Sequence, residues 1–378
     1  MNTPETTTLI CFSHLRWNFV YQRPQHLMSR FSKAMRVIYI EEPYFDDTVS
    51  FEITNVSDNL WIAVPHLRKG MSDSEIIKHQ RDFISRMLVN MNISQYVAWY
   101  YTPMALRFTD HLNPSVIVYD CMDELTGFKF APQELKDLEK KLLQKADVVF
   151  TGGYSLYEAK KHQHHSIHPF PSSIEYHHFA KARTIVEDPI DQINISNPRF
   201  GFYGVIDERM DIDLVRDIAE QRSEWNIILL GPVVKISEQD LPRLPNIHYL
   251  GMKKYEELPS YLAGWDVAIM PFARNEATRY ISPTKTPEFL AAGKPIISTP
   301  IHDVVKQYST VVHFAETAEE FIHIAENKIV QNQMWLDNVD EILKENSWDK
   351  TWHKMNELIL TALNSTENKL EEKRQEYV

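Results

Sequence analysis

The chain has 378 residues, 43% of them hydrophobic and 11% aromatic, which is more than one ordinary core accommodates and suits two folded domains. A formal net charge of −12 argues against a general nucleic-acid binder. Two cysteines, Cys11 and Cys121, stand far apart without CxxC spacing, so neither a disulfide framework nor a zinc site is indicated.

The N-terminus, Met-Asn-Thr-Pro-Glu-Thr-Thr-Thr, lacks the basic and apolar blocks of a signal peptide, and no stretch reaches the roughly 18 apolar residues of a membrane span. The expectation is a soluble cytoplasmic protein, at most peripheral at the inner face of a membrane. Residues 1–180 carry about 18 basic and 20 acidic side chains, so most of the excess negative charge falls in the second half. The first half therefore meets an anionic partner more readily than the second.

Thr8 to Ser13 is a short apolar run with the length of a buried strand. It leads into a loop with Arg16 and Trp17, a helix from about Gln22 to Lys33, and a second strand at Arg36–Ile40. Strand, loop, helix and strand at this spacing make a parallel β-α-β unit. Loops after such strands lie at the carboxyl edge of the sheet, where open α/β folds bind ligands. Arg16, Trp17, Gln22 and Arg23 are thus candidates for a polar partner; packing of Trp17 and Phe19 over the helix start explains the aromatics equally well.

Two extended pieces follow between Ser50 and Pro65, then an amphipathic helix over Ser74–Asn90. Strands at Tyr96–Tyr101, Val116–Asp120 and Asp147–Thr151 alternate with helices near Pro103–His111 and Pro132–Lys145, the repetition of a doubly wound sheet. At the end of the 116–120 strand stands Tyr119-Asp120-Cys121-Met122-Asp123-Glu124. Asp120 and Asp123 are expected to face a cleft, where one orients a hydroxyl or acts as a base. Acids at strand ends also serve as caps and turn formers. Histidines cluster between 162 and 178, but without HExxH spacing or a nearby cysteine the segment reads as a solvated surface, and no metal site is expected. Residues 183–198, with Pro189 and Pro198 among polar residues, read as a hinge.

The second half begins with the strand Arg199–Ile206. Gly201 and Gly204 alone do not make GxGxxG, so a nicotinamide site is not supported. Arg209, where the following turn enters a helix, is in reach of a phosphate. Strands continue at Asn226–Gly231, Asn246–Gly251, Asp266–Pro271, Lys294–Thr299 and Val311–Phe314, a second complete α/β domain. Between the 266–271 strand and the next helix, the polar loop 272–280 holds Asn275, Glu276 and Thr278. Helices over Ala318–Lys344 and Trp348–Leu363 and a charged tail close the chain.

Residues 281–300 are the most informative stretch. Ser282 suits an N-cap with Pro283 at the first helical position, Gly293 the stop, and Ile296-Ile297 a strand. Pro287 repeats the start signal, so the helix begins either at 282 or at 286. In both cases Thr284 and Lys285 add a hydroxyl and an ammonium to a helix N-terminus, a place for a phosphate. Glu288, about 6 Å further along the axis, is placed to accept from both hydroxyls of a ribose.

These residues resemble the GT-B glycosyltransferases, in particular the family 4 type (glycosyl transferases group 1). The most specific part is Ile281–Thr299; weaker parts are Gly204–Asp211, Trp17 with Gln22-Arg23-Pro24, and Tyr119–Asp123. The resemblance implies an α/β protein of two Rossmann-like, doubly wound domains facing a central cleft. Residues 1–182 would form the acceptor domain, 183–198 the hinge, 199–345 the nucleotide-sugar domain, and 346–378 a closing helix and charged tail.

By the same resemblance, Glu288 holds the ribose, while Gly204, Arg209, Ser282, Thr284 and Lys285 bind the diphosphate. Asn275, Glu276 and Thr278 approach the donor sugar; Arg16, Trp17, Gln22, Arg23 and Asp120 meet the acceptor; and Asp123, Arg209 and Lys285 carry catalysis. The implied reaction moves a sugar from a nucleoside-diphosphate sugar, a UDP-sugar foremost, to a glycan or lipid-linked hydroxyl, with retention and with neither cofactor nor metal. Two departures stand out: the family's second glutamate, eight positions before Glu288, is here Tyr280, and Arg209 is followed by Met210-Asp211 rather than a second cation. A nucleotide-sugar epimerase of the same fold and a non-catalytic nucleotide- or glycan-binding protein are the alternatives.

Overall fold

The computed structural model describes residues 7–127 and 131–376. The chain divides into two compact units. One comprises the chain up to Gly152, Leu156–Phe170 and everything from Asp349 onward; the other comprises Gly153–Ser155 and Pro171–Trp348.

The first unit is built on a nine-stranded sheet: β1 (Thr8–Phe12), β2 (Arg36–Ile40), β3 (Tyr44–Asp46), β4 (Ser50–Ser57), β5 (Leu60–Arg68), β6 (Tyr96–Tyr100), β7 (Val116–Cys121), β8 (Val148–Thr151) and β9 (Ile167–Pro169). The order β3-β5-β2-β1-β6-β7-β8-β9 is parallel throughout, and β4 pairs antiparallel with β5. Every residue of β1 and β6 is buried, as expected of central strands covered on both faces. The two extended pieces expected after Ser50 are this antiparallel hairpin, turned at Asn59 with φ 58°.

The second unit holds a six-stranded, all-parallel sheet in the order β12-β11-β10-β13-β14-β15: β10 (Arg199–Tyr203), β11 (Asn226–Leu230), β12 (Ile247–Gly251), β13 (Val267–Met270), β14 (Ile296–Ser298) and β15 (Val312–Phe314). Alternation along β10 sends Phe200 and Phe202 to one core, with Val215 and Ile218, and Tyr203 to the other, with Trp265 and Phe289. The strand order reverses at β10/β13, and the loops leaving both strands emerge at the carboxyl edge.

Several boundaries differ from the sequence reading. Residues 183–198 lie within the second unit and not between the two. Gln192, fully buried, donates to Asp188 and to the Tyr261 carbonyl and accepts from the Trp265 indole at 3.0 Å, while Arg199 pairs with Asp188 at 2.7 Å. These bonds, not an independent linker, define the segment. The helix expected over 318–344 is two helices, Ala318–Asn327 and Gln333–Leu343, and the last helix, Trp348–Glu376, runs through most of the stretch read as a charged tail.

Candidate nucleotide-sugar site

The helix after β13 begins later than Ser282 and earlier than Thr286: it spans Lys285–Ala291, with Thr284 as its N-cap. Ser282 is no cap. Its carbonyl accepts from the Ser172 hydroxyl at 2.6 Å, and Pro283 lies before the helix. At seven residues the helix is short, so side chains rather than its dipole set the local charge.

Those side chains converge. Glu288 is only 5% exposed, and its Oε2 accepts from the Tyr203 hydroxyl at 2.6 Å. Lys285 Nζ lies 3.5 Å from the same oxygen, donates to Thr284 Oγ1 at 3.0 Å, and sits 5.1 Å from the Tyr203 ring centre. Burial raises the Glu288 pKa, opposed by Lys285 and by the Tyr203 hydrogen bond. Burial, then the Glu288 charge, pushes the Tyr203 phenol well above its ordinary value, so Tyr203 is a neutral donor. Sequence reasoning missed Tyr203; the signal available was its place at the end of a strand, directly before Gly204.

Gly204 follows with φ 151°, and a Cβ there would meet Lys285 Cε at 3.6 Å, which places the β10 loop against the lysine. At Gly231, φ 136°, a Cβ would lie 1.8 Å from the Gly204 carbonyl oxygen. Only glycine permits this backbone crossing, and it went unnoticed in the sequence.

Arg209 is half-buried and already paired. Its Nε donates to both Asp207 oxygens, at 2.9 and 3.1 Å, and its Nη2 to Oδ2 at 2.8 Å; Asp207 is 2% exposed. The Arg209 carbonyl accepts from Ala273 at 2.8 Å, tying the β10 loop to the segment after β13.

In that segment Thr278 is a buried strut, its hydroxyl donating to the Ala273 carbonyl, and so is not presented to a sugar. Asn275 is exposed but its amide donates to the Glu208 carbonyl at 2.8 Å. Glu276 is exposed and 3.6 Å from Arg279.

In the first unit Asp120 does not face a cleft. It is 0% exposed and receives Arg23 Nε and Nη2 at 2.9 and 2.8 Å, while Arg23 Nη1 binds the Phe170 carbonyl at 2.7 Å. Two residues expected at an acceptor therefore neutralise each other in the core. Burial raises the Asp120 pKa, with Arg23 opposing.

Gln22 caps the Arg23–Phe31 helix, its N–H bonding Gln25 Oε1 at 3.1 Å. Arg16 binds Glu41 at 2.9 Å and lies 3.8 Å over the Tyr44 ring. The Trp17 N–H donates to Glu41 Oε1 at 2.7 Å, and its ring meets Tyr39 edge-on at 5.2 Å. Asp123, half-buried, follows β7 by two residues, and its carbonyl accepts from Leu125 at 3.1 Å. Among the described residues no group of three His, Cys, Asp or Glu is arranged to hold a metal, and no helix is long and apolar enough to cross a membrane. Of the clustered histidines, His164 binds the Ser166 and Ala146 carbonyls, and His178 stacks on Tyr255 at 4.3 Å.

Residues 197–327, most of the second unit, match the family model described as glycosyl transferases group 1. The putative teichuronic acid biosynthesis glycosyltransferase TuaH of Bacillus subtilis (strain 168) is 27% identical over 264 residues, 65% of each chain, so the match spans just under two thirds of that relative. Among solved structures, sucrose-phosphate synthase from Thermosynechococcus elongatus aligns with 95% of this chain and 100% of its own at TM-score 0.70 and 12% identity. Anabaena Alr3699/HepE in complex with UDP and glucose aligns with 94% of this chain and 99% of its own, at TM-score 0.66 and 11% identity. The E. coli trehalose-6-phosphate structure bound with UDP-2-fluoro glucose aligns with 93% and 99%, at 0.67 and 10%. At such identities the likeness is one of fold.

Proposed function

Because residues 197–327 are a group 1 glycosyltransferase domain and the chain has the GT-B fold, we propose that the protein transfers a sugar from a nucleoside-diphosphate sugar to an acceptor hydroxyl. The observation that carries this reading is the convergence of Lys285 and Tyr203 on the buried carboxylate of Glu288, inside the matched stretch. A buried carboxylate beside an ammonium, next to a glycine-lined backbone turn, has the chemistry to bind a ribose diol and a diphosphate together.

In this reading Glu288 accepts from the ribose, and Lys285 and Thr284 meet the diphosphate. Arg209, held on Asp207, is the second cation at the diphosphate. As the glycosidic bond to the diphosphate breaks, negative charge grows on the leaving oxygen, and two fixed cations stabilise it. These charges support a reaction that needs no metal at the diphosphate; likeness to the family supports retention at the anomeric carbon.

The donor we favour is a UDP-sugar, in keeping with the UDP ligands named for two structural neighbours. The acceptor we favour is a glycan or lipid-linked hydroxyl, in keeping with the teichuronic acid biosynthesis named for the Bacillus relative, and a lipid-linked acceptor fits peripheral work at a membrane. Asp123 is the acid we assign to catalysis.

Calorimetric binding of UDP, GDP, ADP and TDP, repeated with Glu288→Ala, tests the donor site: one nucleotide binds selectively and the substitution abolishes the signal. Absence of binding to all four sinks the proposal. Asp123→Asn keeps donor binding and loses transfer. Sugar epimerised in the absence of acceptor would favour the epimerase instead.

A further inference from the structure

Tyr203 is held from every side. Its ring meets Phe289 edge-on at 4.9 Å, Trp265 at 6.1 Å and Phe179 in parallel at 6.4 Å, and the residue is 3% exposed. So packed, the phenol has one place to point, and its hydroxyl donates to Glu288 Oε2 at 2.6 Å. Lys285 approaches that same oxygen at 3.5 Å. Among the described residues both contacts to this carboxylate therefore fall on one oxygen, and Oε1 is left to accept from a ligand.

We infer that Tyr203 is the positioning residue for ribose recognition: it locks the Glu288 carboxylate in a single orientation in which Oε1 accepts from the vicinal hydroxyls of a nucleotide ribose, and so confers preference for ribo- over deoxyribonucleotides. This rests on the donor-site reading above. The physical reason is pre-organisation. A carboxylate free to rotate gives part of the diol's binding energy to ordering itself, whereas one fixed by a buried, neutral phenol does not. An aliphatic residue at 203 would fill the core yet leave Oε2 buried without its donor, which costs more than the bond was worth.

The test is calorimetry of UDP and 2′,3′-dideoxyuridine diphosphate with the wild type, Tyr203→Phe and Glu288→Gln. Phenylalanine keeps the ring packing, so Tyr203→Phe is expected to melt within a few degrees of the wild type. The wild type binds UDP more tightly than the dideoxy compound by about tenfold, the worth of hydrogen bonds to a charged group, and Tyr203→Phe brings the ratio close to one by weakening UDP alone. In the Glu288→Gln background, Tyr203→Phe has no further effect on the ratio.

A purely structural tyrosine would weaken both ligands equally and leave the ratio intact, and that result overturns the inference while leaving the donor site standing. A wild type that binds neither compound nor any other nucleoside diphosphate overturns both. As a measurement independent of the Phe variant's folding, 3-fluorotyrosine at 203 gives a fluorine resonance that shifts on adding UDP and much less with the dideoxy analogue; equal shifts overturn the assignment.

Discussion

Arg209 is folded back on Asp207, Nε and Nη2 gripping a carboxylate that is almost wholly buried. The cation assigned to the diphosphate is thus held ready, at a reduced net charge. Arg209→Ala should lower UDP affinity about tenfold and leave uridine binding unchanged, because only the diphosphate uses the guanidinium. Asp207→Asn retains an acceptor for the Arg209 amide and removes the competing charge, so UDP affinity should rise in calorimetry. A fall would mean that Asp207 shapes the loop more than it restrains the arginine.

Lys285 lies between Glu288 and the β10 loop, where charge on a departing diphosphate would grow. Lys285→Ala is expected to reduce kcat on the order of 10²-fold, with a smaller effect on UDP affinity, since an interaction that strengthens in the transition state is lost mainly from turnover. Steady-state kinetics beside equilibrium binding separate the two.

Burial raises the Glu288 pKa, so its carboxyl protonates at a higher pH than an exposed glutamate. Lys285, Tyr203 and His178 face it, and all three favour the anion against that burial. The sign follows from the raised value: the folded protein holds the proton more tightly than the unfolded chain, so this group's contribution to stability declines as pH rises from the ordinary glutamate value through the folded one. Ligand binding runs the other way. Affinity for UDP-glucose, whose diphosphate diester does not titrate in this range, should fall as pH drops through the raised Glu288 value, and Glu288→Gln should flatten that part of the profile.

Asp120 and Arg23 form a buried bidentate pair in the first unit. Asp120→Asn strands the guanidinium and should cost about 3–5 kcal/mol in chemical denaturation, whereas replacing both residues by apolar ones of like volume should recover most of it. UDP binding by the folded fraction of Asp120→Asn should be unchanged. A stable Asp120→Asn with lost transfer would instead return this acid to the acceptor site.

Much of the fold was legible because parallel strands buried on both faces appear as uninterrupted apolar runs such as Leu9–Phe12 and Ile227–Leu230, each followed by a helical period. Around the candidate site, Lys285 and Glu288 were legible because a three-residue separation on a helix brings side chains together wherever that helix begins. Composition and periodicity by themselves determined the two α/β halves, the strand–loop–helix setting of residues 281–300 and the place of Lys285 and Glu288 beside one helix start. The tertiary structure alone decided that Tyr203 anchors Glu288, that Asp207 holds Arg209, that Gly231 lets the β11 loop cross Gly204, and that Asp120 spends its charge on Arg23. Periodicity reports which face of an element is buried; it does not report which polar groups, distant in sequence, meet inside, and burial without a partner is too costly for those meetings to be left unmade.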